Sequence, residues 1–94
     1  MNKPLVSVVM PHFNSSGTVA NAIMSIVNQT YENWELIIVD DGSEDVNILE
    51  SIIENFDNDR IRLIKSSHKN VVSARMLGYA EASGDIFAVQ DADD

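Results

Sequence analysis

The stretch LVSVVMPHFN, residues 5–14, decides the fold class of this chain. Leu5 to Met10 is an almost continuous apolar run, which is typical of a strand buried on both faces of a sheet. Pro11 is expected to end the strand, because proline has no backbone N–H to donate. A polar cluster, Pro11-His12-Phe13-Asn14, lies at this point. The stretch therefore predicts a buried first strand with polar chemistry at its carboxyl end.

Outward from this strand, short apolar runs alternate with segments of helical spacing. The predicted elements that follow are a helix over Thr18–Asn28, a strand over Glu35–Val39, a helix over Val46–Phe56, a strand over Arg60–Lys65, a helix over Val71–Ala82 and a strand over Ile86–Gln90. Asp45 is predicted to cap the start of the second helix, and Gly84 to cap the end of the third.

This β-α-β-α-β-α-β order predicts an α/β fold, namely a three-layer α/β/α, Rossmann-like and mainly parallel sheet with right-handed crossovers. The habits of such folds give the strand order 3-2-1-4, and the imperfect apolar alternation of the third strand suits an edge position. Ligands of such sheets bind beyond the carboxyl ends of the strands. With 94 residues, we expect residues 1–94 to form a single small domain.

The composition limits the possible partners. The chain has 15 Asp and Glu against 6 Lys and Arg, and a formal net charge of -9. Nucleic acids and anionic membranes attract Lys and Arg, so we expect neither as a partner. Cysteine is absent and the N-terminal apolar run is too short for a signal peptide or a membrane span. We therefore expect a cytoplasmic protein, with any attachment to the inner face of the membrane through regions outside these residues.

Every predicted strand ends in a polar cluster, and the later ones are residues 40–43 (DDGS), 66–68 (SSH) and 91–94 (DADD). A parallel sheet brings these clusters to one edge, where up to five carboxylates would share a cleft. Two like charges about 4 Å apart repel by roughly 4 kcal/mol at an effective dielectric constant of about 20. Either some of these acids are protonated or a divalent cation lies among them, and oxygen ligands suit Mg²⁺ or Mn²⁺. Since no Gly-rich phosphate loop is present, the acids are interpreted as a site for a metal-bound diphosphate.

Several segments resemble motifs of family 2 glycosyltransferases with the GT-A fold. They are residues 6–14 for the opening strand and P-x-[YF]-N turn, residues 28–31 for N-Q-T-Y, residues 35–43 for V-D-D-G-S, residues 73–78 for A-R-N-x-G and residues 91–94 for the D-x-D-D metal motif. The matches run in order through essentially the whole chain. Two positions depart from the pattern: Asn70 stands where Gly is frequent, and Met76 replaces the Asn that usually follows Arg75.

The resemblance implies a set of site residues. The positions that match the family's nucleotide-binding segments are Pro11, Phe13, Asn14, Asp40, Asp41, Arg75 and Asp91. The resemblance also implies that Asp93 and Asp94 bind the divalent cation, Mn²⁺ or Mg²⁺. The implied donor is a nucleoside diphosphate sugar, with a UDP-sugar favoured, and the implied acceptor is a carbohydrate or a lipid-linked hydroxyl.

The resemblance also implies inversion at the sugar carbon, with a general base and an acceptor site beyond Asp94. We therefore expect the chain to be the nucleotide-sugar-binding N-terminal portion of a longer domain, truncated after the D-x-D motif and inactive alone. An incomplete sheet leaves an edge strand unpaired, so dimerisation of this fragment is an expected hazard.

Other interpretations remain open at this point. A phospho-receiver-like signalling domain also binds Mg²⁺. Receiver domains, however, carry a pair of acidic residues after the first strand, where this chain has His12. A catalytically inactive nucleotide-binding module would keep the same fold. Arg75 is equally well explained as a surface ion-pair partner, and His12 is interpreted as a loop residue near the site rather than a base or metal ligand.

Overall fold

The computed structural model describes residues 4–66, 71–90 and 92, including the side chains of all of these except residues 71–73. The elements are β1 (Val6–His12), α1 (Ser16–Val27), β2 (Trp34–Asp40), α2 (Val46–Phe56), β3 (Ile61–Lys65), α3 (Val71–Glu81) and β4 (Ile86–Val89). All paired strands run parallel, in the order β3-β2-β1-β4. The predicted fold class and strand order are confirmed.

The sheet separates two apolar layers, because successive strand residues point to opposite faces. On one face, Val8 and Met10 of β1 pack with the buried stripe of α1 and with Leu49 of α2. On the other face, Val9 packs with Ile37, Val39 and Ala74 of α3. Helices therefore cover both faces, with α1 and α2 on one side and α3 on the other.

The strand β1 continues through Pro11 to His12, so the prediction that Pro11 ends it was wrong. Alternate residues of β1 bond to its two neighbours: Asp41 N donates to His12 O at 2.9 Å, and Gln90 N donates to Val9 O at 3.1 Å. Pro11 therefore faces the side of β4, which has already ended at Val89. Among the described residues, no ladder bond needs the N–H that proline lacks, and the strand accommodates it.

Of the two predicted helix caps, Gly84 was wrong and Asp45 was right in position only. Asp45 is the N-cap residue of α2, but its side chain makes no capping bond to that helix. Its carboxylate instead accepts the backbone N–H of Ser16, at the start of α1, at 3.1 Å. Gly84 lies beyond the end of α3, in the turn that enters β4, where a Cβ atom would lie 2.6 Å from Leu5 O and 2.9 Å from Ser7 N. Close approach of two backbones therefore requires glycine here.

The two edges of the sheet differ in exposure. β3 is an edge strand, as predicted, and its apolar side chains are buried or half-buried. β4 is the other edge within the described residues, and all four of its residues are exposed, among them Ile86 at 50% and Phe87 at 52%. Among the helices of the described residues, none has the length and apolar character needed to cross a membrane.

Candidate functional site

The candidate site lies where β1 and β2 end side by side. His12 is the register partner of Asp40, and the next residue, Asp41, donates its backbone N–H to His12 O. The first turn, residues 13–15, and the second turn, residues 41–45, therefore leave the sheet as neighbours. We refer to these two turns with their flanking residues His12, Ser16 and Asp40 as the two-turn platform.

A buried hydrogen-bond network joins the two strand ends. His12 is 1% exposed and Asp40 is 2% exposed. The Nδ1 atom of His12 lies 2.9 Å from Asp40 Oδ1, and the Nε2 atom lies 3.3 Å from the backbone N of Ser15. Because Ser15 N–H can only donate, Nε2 accepts and the ring proton is on Nδ1, where it is donated to Asp40. His12 therefore links its own turn to the carboxylate that begins the second turn.

The combination of His12, Asp40 and Ser43 contains the residue types of a nucleophilic triad but is connected differently. In such a triad the hydroxyl and the carboxylate bond to opposite nitrogens of the imidazole. Here Ser43 Oγ lies 3.1 Å from Nδ1, the same nitrogen that faces Asp40, and Nε2 is occupied by Ser15 N–H. The arrangement orients backbone and carboxylate groups, and it does not activate Ser43.

The carboxylate of Asp40 is held in its charged form. Burial penalises the charge and by itself raises the pKa, but hydrogen bonds from the side chain of Ser43, from His12 and from the backbone of Ser43 outweigh it. The net result is a pKa of Asp40 below its ordinary value of 3.8. Asp40 is thus an ionised anchor inside the platform at neutral pH, with its oxygens directed to His12 and Ser43.

A second set of bonds joins the turns above this network. Asn14 has a left-handed backbone, with φ of 50°, a region in which Asn is enriched. In that conformation its N–H donates to Ser43 Oγ at 2.9 Å and its side-chain oxygen accepts Glu44 N–H at 2.9 Å. The bond from Ser16 N to Asp45 adds a third link. The platform is therefore fixed by side chains and backbone from both turns.

The structure brings most of the predicted nucleotide-binding residues together. Pro11, Phe13, Asn14, Asp40 and Asp41 all lie in or directly beside the two-turn platform, with Asp41 6% exposed and Phe13 52% exposed. Arg75 is half-buried in α3, on the other face of the sheet from α1 and α2. Asp91, Asp93 and Asp94 lie outside the described residues, so their predicted roles remain predictions.

Ala92, the described residue of the acidic segment 91–94, lies at the same edge of the sheet. This residue is 3% exposed and packs in the apolar layer of α1. Its carbonyl oxygen accepts a hydrogen bond from the hydroxyl of Thr18, near the start of α1, at 3.0 Å. Since α1 begins immediately after residues 13–15 of the two-turn platform, Ala92, in the middle of the D-x-D-D segment, lies beside the platform.

Sequence reasoning did not foresee the connecting roles of His12, Ser43 and Asp45. The available signal was the equal spacing of the two strands: residues 28 positions apart pair from Val6 with Trp34 to His12 with Asp40. With that register, a histidine faces the first acid of the second turn. The direction of each side chain into the network depends on the turns, whose geometry is not encoded in a strand pattern.

The comparison with known families matches the Glycosyl transferase family 2 model over residues 7–94. This chain is a member of glycosyl transferase family 2. An uncharacterised glycosyltransferase of Haemophilus influenzae is 37% identical over 97 residues, covering 100% of this chain and 38% of the relative. The Escherichia coli protein named UDP-Glc:alpha-D-GlcNAc-diphosphoundecaprenol beta-1,3-glucosyltransferase WfgD is 39% identical, with 100% and 37% covered. The family 2 chain thus spans less than two-fifths of the length of these relatives.

Solved structures share the fold of this family 2 chain. The mannosyltransferase PcManGT of Pyrobaculum calidifontis, in complex with GDP-Man and Mn²⁺, matches with a TM-score of 0.88 at 22% identity, covering 99% of this chain and 28% of that protein. Staphylococcus aureus TarS 1-349, in complex with UDP-GlcNAc, matches with a TM-score of 0.83 at 22% identity, covering 95% and 26%. These matches support the predicted GT-A-type α/β architecture.

Proposed function

We propose that this chain forms the nucleotide-sugar-binding part of a metal-dependent, inverting glycosyltransferase. The donor is a nucleoside diphosphate sugar, with a UDP-sugar favoured, and the acceptor is a hydroxyl of a carbohydrate or a lipid-linked saccharide. The observation that carries the proposal is the joining of the two turns by His12, Asp40 and Ser43, with Ala92 of the acidic segment held beside them. Ligands of open α/β sheets bind at this edge.

The platform suits the base and ribose of a nucleotide. Phe13 offers an exposed aromatic ring at the first turn, and Asp41 follows β2 at the second turn. A carboxylate accepts hydrogen bonds from base N–H groups or ribose hydroxyls, whereas it repels phosphate. We therefore assign the nucleoside to the two-turn platform and the diphosphate to the side of Ala92.

The divalent cation, Mn²⁺ or Mg²⁺, has a compatible donor set in Asp93 and Asp94. The described residues contain no group of three or more side chains that could hold a metal ion. Mg²⁺ usually takes one or two carboxylates together with substrate phosphates, so two carboxylates and the diphosphate form a sufficient set. When bound, the cation neutralises the charge of the leaving diphosphate.

The residues of this chain position the donor. The buried links between the turns hold the nucleoside-facing groups at fixed separation before the ligand arrives, which reduces the entropy lost on binding. The acceptor site and the general base belong to the regions beyond Asp94 in this proposal. This chain alone is therefore expected to bind nucleotide weakly and to transfer no sugar.

The proposal is tested by titrating the protein with UDP or GDP, with and without Mn²⁺, while amide chemical shifts are recorded. We expect shifts at Asp41 in the presence of nucleotide, and additional shifts at Ala92 and Asp93 that need both nucleotide and Mn²⁺. UMP serves as the control, because it keeps the nucleoside and lacks the diphosphate, so it should shift Asp41 with little dependence on Mn²⁺. Absence of any response to either diphosphate would refute the proposal.

The receiver alternative is not supported, because the family 2 match covers nearly the whole chain and β1 ends in His12. Acetyl phosphate in the same experiment should therefore leave the spectrum unchanged. The inactive-module alternative binds nucleotide equally well. It is distinguished by measuring sugar-nucleotide consumption with the full-length protein and an acceptor mixture.

A further inference from the structure

We propose that His12 is a positioning residue of the nucleotide site, whose neutral imidazole sets the distance between the two turns that hold the nucleoside. This inference rests on the proposed function and names a residue that the sequence motifs leave without a role. His12 occupies the variable position between Pro11 and Phe13 in the P-x-[YF]-N turn. Its side chain does not reach solvent, so it acts on a ligand only through its neighbours.

The first part of the argument is the tautomer. Nε2 accepts from Ser15 N at 3.3 Å, and Nδ1 lies 2.9 Å from Asp40 Oδ1. The proton on Nδ1 is therefore shared with an ionised carboxylate, and a hydrogen bond to a charged group is among the stronger ones. A proton on Nε2 would instead face the N–H of Ser15, donor against donor. Only the tautomer with its proton on Nδ1 forms hydrogen bonds with both turns.

The second part is the reach of each bond. Ser15 follows the left-handed Asn14 and donates its backbone N–H to Nε2 of His12, so this bond fixes the far end of the first turn. Asp40 begins the second turn and accepts the N–H of Ser43 at 3.1 Å. The imidazole is thus the spacer between the exposed Phe13 on one turn and Asp41 on the other. No backbone bond joins Ser15 to Asp40 among the described residues.

Three substitutions separate the two bonds. In His12→Asn, the side-chain amide can replace the donor at Nδ1, but nothing reaches Ser15. In His12→Gln, the longer amide can place its oxygen near Ser15 but does not keep the donor to Asp40. His12→Phe keeps the ring volume and loses both bonds. Val8→Ala is the matched control, because Val8 is buried on the same face of β1 and lies away from both turns.

The readout without ligand is the state of the ring and of Ser15. Nitrogen NMR of the unsubstituted protein should show the proton on Nδ1 of His12. The Ser15 amide should be protected from hydrogen exchange in the unsubstituted protein and in His12→Gln, and should lose protection in His12→Asn and His12→Phe. A proton on Nε2, or unchanged Ser15 protection in His12→Phe, would overturn the assignment of His12 as the spacer.

The readout with ligand is the dissociation constant for UDP or GDP in the presence of Mn²⁺. We expect His12→Phe to weaken it about tenfold, equivalent to one hydrogen bond to a charged group, and each amide variant to weaken it less. Val8→Ala should change it less than about twofold, even though that variant is less stable. Equal affinities of His12→Phe and Val8→Ala would overturn the inference.

Failure of the proposed function can be distinguished from failure of the inference about His12. If the unsubstituted protein binds neither diphosphate, the proposed function fails, and with it the nucleotide part of this inference. The ring proton and the Ser15 amide are measured in the absence of nucleotide, so they still decide whether His12 spaces the turns.

Discussion

Two cross-strand polar pairs lie at opposite ends of β1 and β2. At the amino end, Ser7 is the register partner of Glu35, and at the carboxyl end His12 is the register partner of Asp40. The hydroxyl of Ser7 donates to Glu35 and accepts the N–H of Gly84 at 2.8 Å. The partners of His12 are instead turn residues that border the candidate site.

The two pairs therefore have different consequences. Apart from a long ion pair between Glu35 and Arg62 of β3, the amino-end network contacts the turn that leads into β4, since Ser83 N also donates to Glu35, at 2.7 Å. It positions an element of the fold. The carboxyl-end network orders the two-turn platform and leaves Phe13 exposed beside it. If this contrast is correct, substitutions at the first pair should change stability alone, and substitutions at the second should change stability and nucleotide affinity together.

The largest expected loss of stability comes from Gly84→Ala. The added Cβ would lie 2.6 Å from Leu5 O and 2.9 Å from Ser7 N, so backbone atoms must shift. We expect the free energy of unfolding to fall by about 3 kcal/mol, the upper range for overpacking. Urea denaturation measures it.

Gly17→Ala is the matched control for Gly84→Ala. A Cβ at Gly17 would meet no atom within 4 Å, and Ala is the better helix former in α1. Stability should therefore stay equal or rise slightly. The affinity of folded Gly84→Ala for nucleotide should match that of the unsubstituted protein, and a large loss of affinity would contradict the separation of the two ends.

The next largest effect is expected from Asp40→Asn. The amide keeps one acceptor but places an NH₂ group among the donors from His12 and Ser43, so we expect a loss of about 2 kcal/mol near neutral pH. Glu35→Gln is the control at the amino end. Its remaining oxygen can still accept from Ser7 and Ser83, and the ion pair with Arg62 is long, at 3.8 Å, and half-exposed, so its loss should be smaller.

The same substitution should remove a pH dependence. The pKa of Asp40 is lower in the folded protein than its ordinary value of 3.8, so its stabilisation is fully present above that value and is lost as pH falls through the folded pKa. The difference in stability between the unsubstituted protein and Asp40→Asn should therefore shrink below about pH 4. A difference that grows on acidification would show that the carboxylate is not stabilised in its charged form.

The contrast between the amino and carboxyl ends of β1 and β2 also shows which features could be predicted from the sequence. The apolar runs specify the buried strands, because a run such as Leu36–Val39 has to be covered on both faces. The strand order followed from the habits of such folds and not from the runs themselves. The acids after β2 were placed correctly at the carboxyl edge, since parallel strands bring their ends together. The predictions that failed were the strand end at Pro11, the side-chain capping bond of Asp45 and the helix cap at Gly84. In each case the outcome depended on a tertiary neighbour: the early end of β4, the start of α1, and the backbone of Leu5 and Ser7.

The smallest expected effect on stability, and the most selective effect on binding, comes from Thr18→Val. Valine keeps the shape and removes the hydroxyl that donates to Ala92 O at 3.0 Å. The loss in stability should be about 1 kcal/mol, typical of one neutral hydrogen bond. Ser25→Ala is the control, because Ser25 donates its hydroxyl to Ala22 O within the same helix.

Binding measurements on these two variants separate the platform from the acidic segment. If Ala92 holds the segment that carries Asp93 and Asp94, Thr18→Val should weaken UDP binding measured with Mn²⁺ and leave UMP binding unchanged, since UMP lacks the diphosphate. Ser25→Ala should change neither. Equal losses for UDP and UMP in Thr18→Val would mean that the hydroxyl supports the first turn, through its second contact with Ser15 O at 3.2 Å, rather than the acidic segment. In that case the platform and the segment could not be treated as separate parts of the site.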